Sequence, residues 1–457
     1  MASSTERLVD IALGIRFDSL PAEVVREAKR RLLDALGCMI AGARGVTTER
    51  VRKAVFSLGG VPEATLFGTQ ERTSCDRAAL VNGTALRFLD FMDGHPGPYP
   101  CHPCFNIPPA LAVAERERAS GKKLITAIVT GYEIMPRFQE NVGLPDLGAR
   151  GWAGSSNLAF SIPLGCAHLL GLDREGALNA LGLSVLHGAV LDTSSHGQMP
   201  ASKSLLDGMV AQQAVLALLL AERGVSGPHE VLEGEAGYVR AVAGACKRDG
   251  LLAPVGKYKI LESYTKLYNT VKCGQTAVAA ALALAREPEF NWRDITAIEI
   301  GLAKRDADNQ TRNASYARPK NRDTANHSVR YSVAAALVEG ELGEEQFAEE
   351  KLRSPDILKL IDRTRVYHEK DHDAHWPRAN PATIWIRSAN RTQFWRTVIV
   401  PPGHPDNPVS DEALEQKFRQ LTRKFLSPEQ ISEVIEIVRQ LDRLDDVRHL
   451  TAVLRRS

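Results

Sequence analysis

A chain of 457 residues is longer than one hydrophobic core usually sustains, which predicts two domains, and 44% apolar with 25% charged residues is the balance of a soluble globular protein. Its 57 basic and 55 acidic residues are interspersed and leave a formal charge of +2, which argues against a nucleic-acid partner. The longest apolar stretch, Met209 to Ala221, is interrupted by Gln212 and Gln213 and is too short for a bilayer, so it reads as a buried helix and no membrane partner is expected.

The first ten residues lack the apolar core of a signal peptide. Seven scattered cysteines, an odd number, fit a reducing compartment better than a disulfide framework, so the expected location is the cytoplasm. From Ala22 to Ala41 the apolar residues Val24, Val25, Ala28, Leu32, Leu33, Ala35 and Leu36 recur mostly at helical steps, behind Pro21 and ahead of Gly42.

Residues 86 to 109 break that rhythm. They gather Asp90, Asp93, His95, His102, Cys101 and Cys104 among five prolines between Pro96 and Pro108, and read as a rigid loop presenting chemistry. Further helices are expected over Ile107–Ser120, closed by Gly121, and over Leu124–Phe138, Ser161–Leu170, Ala177–Val190 and Leu205–Arg223. These are alanine-rich and apolar on most faces, which predicts a multi-helix domain.

After about residue 251 the texture becomes α+β. Thr296–Leu302 alternates like a strand, Ala382–Val400 reads as two strands about the turn at 388–391, and Ser328–Gly340 and Asp356–Ile361 look helical. This predicts a smaller domain over about 266–400, with two amphipathic helices, Asp411–Leu426 and Pro428–Leu441, beyond the Pro/Gly-rich segment at 401–405.

Four clusters carry candidate chemistry. In the loop, Cys101-His-Pro-Cys104 has thioredoxin spacing, and a helix beginning near Ile107 would lower a thiol pKa, but no strand of a βαβ unit precedes it. The same thiols with His95 or His102 offer zinc donors, though no second Cys-x-x-Cys completes the set. His368-Glu-Lys-Asp-His372 matches a zincin pattern without an apolar stripe to bury the helix, so it reads as a solvated loop. Lys203 stands at the mouth of an apolar helix as a base or a carboxylate clamp. Lys266, Tyr268, Lys272 and Gln275 lie where the two textures meet, and a basic run from Lys304 leads into Asn326-His-Ser-Val-Arg-Tyr331.

Leu89-Asp-Phe-Met-Asp-Gly with His102-Pro-Cys-Phe-Asn-Ile resembles a signature segment of the MmgE/PrpD family, as do Ser120-Gly-Lys-Lys-Leu through Gly131-Tyr-Glu133, Lys203 to Gly227-Pro228, Lys266 to Gln275, Thr324-Ala-Asn-His-Ser-Val-Arg-Tyr331 and Pro401-Pro-Gly-His-Pro. The matches run in order from about residue 8 to 425. The resemblance implies a mainly α protein, with a large all-helical domain made of 1–265 and 401–457 and a smaller α+β lid of 266–400. It also implies a homodimer without cofactor or metal, acting on a small polycarboxylate by dehydration, decarboxylation or epimerisation. Its active-site positions fall on Asp90, His102, Lys203, Lys266, His327 and Tyr331, with Asp93, Ser202, Tyr268, Lys272, Gln275 and Arg330 expected to touch substrate. The chain departs from the family where Ala153, Val271 and Cys273 stand in place of the usual His, Glu and His, Gly94 in place of Thr and Arg330 in place of Pro.

The resulting expectation is a cofactor-independent lyase, a hydratase or dehydratase of a hydroxylated di- or tricarboxylic acid, with isomerisation, decarboxylation and an inactive binding protein as alternatives. Elimination needs a base for a C–H next to a carboxylate and an acid for the departing hydroxyl. His102 or Lys266 is the expected base, Asp90 the residue orienting the imidazole, and His327 and Tyr331 the expected acids. Lys203, Arg330 and Lys272 are expected to hold carboxylates.

Overall fold

The computed structural model describes residues 2–144 and 147–455. Nine longer helices and one short one come first: α1 (Ser4–Gly14), α2 (Ala22–Gly42), α3 (Val46–Ser57), α4 (Cys75–Phe88), α5 (Ile107–Arg116), α6 (Gly121–Asn141), α7 (Leu158–Leu170), α8 (Arg174–Val185), α9 (Leu206–Glu222) and α10 (Arg248–Leu251). A hairpin of two-residue strands, β1 (Ala64–Thr65) and β2 (Arg72–Thr73), lies between α3 and α4.

There follow α11 (Lys272–Leu284), β3 (Ile295–Leu302), α12 (Lys304–Arg312), α13 (Arg322–Ala325), α14 (Val329–Glu339), α15 (Glu349–Leu352), α16 (Pro355–Asp362), β4 (Thr364–His368), β5 (Ala382–Ser388) and β6 (Gln393–Val398). The chain ends in α17 (Asp411–Thr422), α18 (Pro428–Arg439) and α19 (Arg448–Val453). The protein is thus mainly α.

The main apolar core interleaves both ends of the chain. Leu32, Leu36 and Met39 of α2 pack with Leu86 of α4, Leu111 of α5, Ile128 of α6 and Val215 of α9, and with Phe418 of α17 and Ile435 of α18. A second cluster collects Leu8 and Val9 of α1 with Phe138 and Phe160. A third draws only on residues 273 to 386, where the buried side chains Ile298, Ile300, Ile384 and Ile386 of the sheet meet Val278 of α11 and Val333 of α14. The sheet order is β4-β3-β5-β6, with β3 and β4 parallel and the other pairs antiparallel.

Several local expectations shift by a turn. Gly121 opens α6 behind the cap Ser120 rather than closing α5, because the Ser120 hydroxyl accepts from the Lys123 amide. Helices α7 and α8 start three residues early, and α8 stops at Val185. The expected loop at 86–109 begins inside α4 and closes on a 3-10 turn, Pro103–Asn106, that runs into α5.

Two larger differences concern α9 and β4. Helix α9 leaves Met209, Leu216 and Leu220 exposed on one face, so within one chain it is not fully buried. Thr364–His368 forms β4 beside β3, so the His368–His372 pair spans a strand end and a 3-10 turn; the segment 368–375 is largely solvated as expected, except that His372 is buried, its Nε2 3.0 Å from Thr383 Oγ1.

The crossing of α2 over α4 is set by a missing side chain, since a Cβ on Gly42 would stand 2.0 Å from the backbone oxygen of Ala85. Alanine there must part the two helices, and the urea midpoint of Gly42→Ala is expected to fall by the equivalent of about 1–3 kcal/mol. Gly14→Ala, whose new Cβ meets nothing within 4 Å, is the control and is expected to stay within about 0.5 kcal/mol of wild type.

Candidate active site

Helix α4 delivers its last turn into the interior, and the chain leaves it through Asp90 in the left-handed region at φ 51°. Such a conformation costs on the order of 1 kcal/mol in a non-glycine residue and persists where the surroundings fix it. Here they do. Lys266, 1% exposed, donates from Nζ to both the backbone oxygen and Oδ2 of Asp90 at 2.9 Å. The facing Arg87 guanidinium sits 3.6 Å from Asp90 Oδ1. Lys266 foremost, with Arg87, holds the Asp90 carboxyl far below the usual range against the cost of burial.

A second buried lysine clamps the segments that carry this pair. Lys417 of α17 donates to the carbonyls of Phe91 (2.9 Å) and Lys266 (2.8 Å), while its charge is met by Asp34 of α2 at 2.6 Å. Gln275 completes the frame, its Oε1 accepting from the amides of Leu267 and Tyr268 and its Nε2 donating to the carbonyls of Tyr268 and Thr270.

Two imidazoles face the pair. His102 Nδ1 lies 2.8 Å from the backbone oxygen of Asp93, an atom that only accepts, so Nδ1 carries the proton and Nε2 is left bare. Burial, reinforced by Arg87 and Lys266, pushes its pKa well below the ordinary histidine value. His327 Nδ1 lies 2.8 Å from the Asp323 carbonyl and 2.5 Å from Asn326 Oδ1, which again places the proton on Nδ1, and burial lowers its pKa to about 3. Both rings are neutral acceptors at neutral pH.

Lys203, in the 3-10 turn Ala201–Ser204 ahead of α9, donates to Ser195 Oγ at 2.6 Å, and that hydroxyl donates to Asp192 Oδ1 at 2.5 Å. Burial lowers the Lys203 pKa, with Arg87 adding to the effect. Asp90 is the hub: its charge bears on the proton affinity of His102, Lys203, Lys266 and His327.

Other sequence-predicted positions serve differently. Asp90 does not orient an imidazole through a hydrogen bond, since its carboxylate is taken by Lys266. Asp93, expected to touch substrate, is spent inside the protein, because Oδ2 accepts from the Tyr132 hydroxyl at 2.6 Å and Oδ1 from the Cys104 amide at 3.3 Å. Tyr331 is buried in the apolar cluster of residues 273–386 and donates to the Gln346 carbonyl at 2.6 Å, and Tyr268 packs against the same cluster. Gln275 braces backbone, and Ser202 points outward as an exposed residue.

Arg330 has a buried Nε with no hydrogen bond, and burial alone lowers its pKa. Lys272 stands apart from the Asp90 pair, its Nζ 3.4 Å from the Pro377 carbonyl, with burial lowering its pKa to about 8 despite Asp306. The thiols of Cys101 and Cys104 are free and buried, and burial beside Asp93 pushes both pKa values up, the opposite of a redox-active pair.

Among the described residues, three metal-type donors come together at His95, Glu140 and Glu262. The Lys259 ammonium already occupies that place, 2.8 Å from Glu140 and 3.0 Å from Glu262. A separate groove of about 550 Å³ between α2 and α17–α18 contains none of the cluster residues, and its rim charges are paired with one another, Arg26 and Arg30 with Asp411 and Lys29 with Asp442.

Sequence reasoning missed Arg87, Lys417, Tyr264 and Tyr316. Arg87 had a signal, being the basic residue one helical turn before Asp90, whereas Lys417 looked like any surface lysine of an amphipathic helix. Tyr264 pairs with Gly94 through two backbone hydrogen bonds, and a Cβ on Gly94 would stand 2.3 Å from its hydroxyl oxygen. Glycine at 94 therefore makes room for this phenol. Tyr316 is buried, which raises its pKa to about 12, and the charges of Cys273, Asp192 and Asp90 add to the rise.

Two family models match in tandem, the MmgE/PrpD N-terminal domain over residues 6–249 and the MmgE/PrpD C-terminal domain over 268–443. The chain is 26% identical to human cis-aconitate decarboxylase over 474 residues, covering 100% of this chain and 95% of that one. It is 25% identical to 2-methylcitrate dehydratase of Escherichia coli strain K12 over 444 residues, covering 91% of this chain and 89% of that one. The same identity, 26%, relates it to the 2-methylcitrate dehydratase of Cupriavidus necator, over 91% and 88%. With both models matched along most of its length, this chain belongs to the MmgE/PrpD family.

Proposed function

We propose that this protein is a lyase that removes a proton next to a carboxylate of a small polycarboxylic acid, most directly as a dehydratase of a hydroxylated substrate. The observation that carries the reading is His102, a neutral imidazole with Nδ1 committed to the Asp93 carbonyl and Nε2 bare, set among the fixed charges of Arg87, Lys266 and Asp90. Nε2 takes the C–H proton, the electron pair forms the C=C bond, and the C–O bond of the neighbouring carbon breaks. Lys203, one of whose three N–H donors is spent on Ser195, is the proton donor for the departing hydroxyl. That role passes to Lys203 because His327 carries no proton on Nε2 and Tyr331 is tied to Gln346. Lys266 stays cationic on Asp90 and opposes the enolate-like charge.

A base with so low a proton affinity is weak in the empty protein. Substrate carboxylates supply negative charge beside His102 and raise its affinity for a proton, so the base strengthens in the complex. A second reading is decarboxylation, favoured by full-length similarity to proteins called cis-aconitate decarboxylase. The reaction needs no group beyond these side chains, and two identical chains joined through the exposed Met209, Leu216 and Leu220 face of α9 are the assembly proposed, because that face continues directly from the turn bearing Lys203.

A panel of citrate, methylcitrate, malate and aconitate, with products identified by mass, separates loss of water from loss of carbon dioxide. His102→Asn is expected to lower kcat/KM about 10²- to 10⁴-fold, and a variant as active as wild type sinks the assignment. Because burial lowers the His102 pKa, protonation disables the base only below the ordinary histidine range; kcat/KM is expected to stay level from pH 8 to about 6.5, and an inflection centred near 6.5 contradicts the buried neutral ring. Sedimentation should give twice the chain mass for wild type and a shift to the single chain for Leu216→Glu; single-chain mass for wild type ends the dimer proposal.

A further inference from the structure

The proposed reaction, on which this inference rests, leaves one requirement open: something must hold a substrate carboxylate beside the imidazoles. Of the cations expected to do so, Lys203 is assigned to the departing hydroxyl, while Lys272 and Arg330 lie apart from the Asp90 pair. We propose that Arg87 is the specificity-determining residue, receiving one carboxylate of a di- or tricarboxylic acid on the fork of its guanidinium.

The case begins with unused donors. Arg87 is 7% exposed, and among the described residues its guanidinium donates no hydrogen bond; its nearest opposite charge is Asp90 Oδ1 at 3.6 Å. That oxygen is not Arg87's alone to neutralise, because the same carboxylate is hydrogen-bonded through Oδ2 to Lys266. The Asp90 carboxylate thus faces two permanent cations, with Asp323 the further carboxylate that Arg87 acts on, and the partner without hydrogen bonds is Arg87. A guanidinium whose five donors no protein group takes is free to meet an anion. A planar carboxylate is the anion whose two oxygens match that fork.

Position points the same way. Arg87 precedes Asp90 by three residues in the last turn of α4, so both project from one helix end, opposite the segment that carries Lys266. Its charge lowers the proton affinity of His102, Lys203, Lys266 and His327, so all four lie within its electrostatic reach. A carboxylate on Arg87 therefore brings the adjacent C–H within the reach of these groups. Lys266 and Lys203 add positive charge to the same cluster, a field that favours di- and tricarboxylates over monocarboxylates.

Tricarballylate, a tricarboxylate with no hydroxyl to lose, is the probe. Its Kd for the full-length protein is measured by calorimetry beside kcat and KM for the acid that the wild type turns over. Arg87→Gln is expected to weaken tricarballylate binding and raise KM about 10- to 100-fold while kcat changes only a few-fold. Arg87→Lys, which keeps the charge opposite Asp90 but loses the fork, should fall between the two and covers the case in which the glutamine variant folds poorly. If either soluble variant keeps wild-type Kd and KM while kcat falls, Arg87 merely positions Asp90 and the inference is overturned. A wild type that neither binds tricarballylate nor transforms any polycarboxylate overturns the proposed function itself, and this inference with it.

Discussion

The buried ion pair between Asp90 and Lys266 is the interaction on which the site depends. Each side chain is all but excluded from solvent, and each belongs to a segment that does not reach the other along the chain, 176 residues apart. Leaving either charge alone in that environment costs about 3–5 kcal/mol, so the pair locks the end of α4 against the segment leading into α11. The left-handed backbone at Asp90 is tolerable only because Lys266 binds the carbonyl as well as the carboxylate of that residue. Lys417 then ties both flanking carbonyls to α17, which makes the last part of the chain a structural component of a site assembled from its first and middle parts.

The same positive field has two consequences. It drives protons off His102 and His327, and it attracts anions. These are not independent. In the proposed reaction, a neutral imidazole beside Arg87 and Lys266 is a poor base until negative charge arrives, and a polycarboxylate would bring it. Binding and activation of the base would then be one electrostatic event, which water or a monoanion would trigger less.

The helices were legible where periodicity, capping residues and glycine agreed, as over Ala22–Gly42, and the β5–β6 hairpin was legible from its alternation and turn. Strand β4 escaped because Thr-Arg-Val-Tyr-His offers only one fully buried aliphatic residue, Val366. For the site, residue types in one loop pointed to Asp90 and His102, but which carboxylate is spent internally is a three-dimensional fact. Asp93 looked equivalent to Asp90 and is consumed by Tyr132 and a backbone amide. Tyr331 sits one helical turn beyond His327, yet faces Gln346 and Phe347 inside the apolar cluster of residues 273–386. The burial of Lys417 and Arg87 escaped for a related reason: a lysine on an amphipathic helix and an arginine at a helix end are most often solvated, and only packing shows them buried, although Arg87 was signalled by its place one turn before Asp90.

The central claim is that a carbon-bound proton next to a carboxylate is taken by a neutral imidazole held between these fixed charges. Its most direct test is nuclear magnetic resonance of substrate and product incubated with the protein in deuterium oxide. The account predicts deuterium at the carbon next to the carboxylate with the wild-type protein and none with His102→Asn. Turnover by the wild-type protein that leaves every carbon-bound proton in place, or exchange that persists undiminished in the asparagine variant, contradicts it.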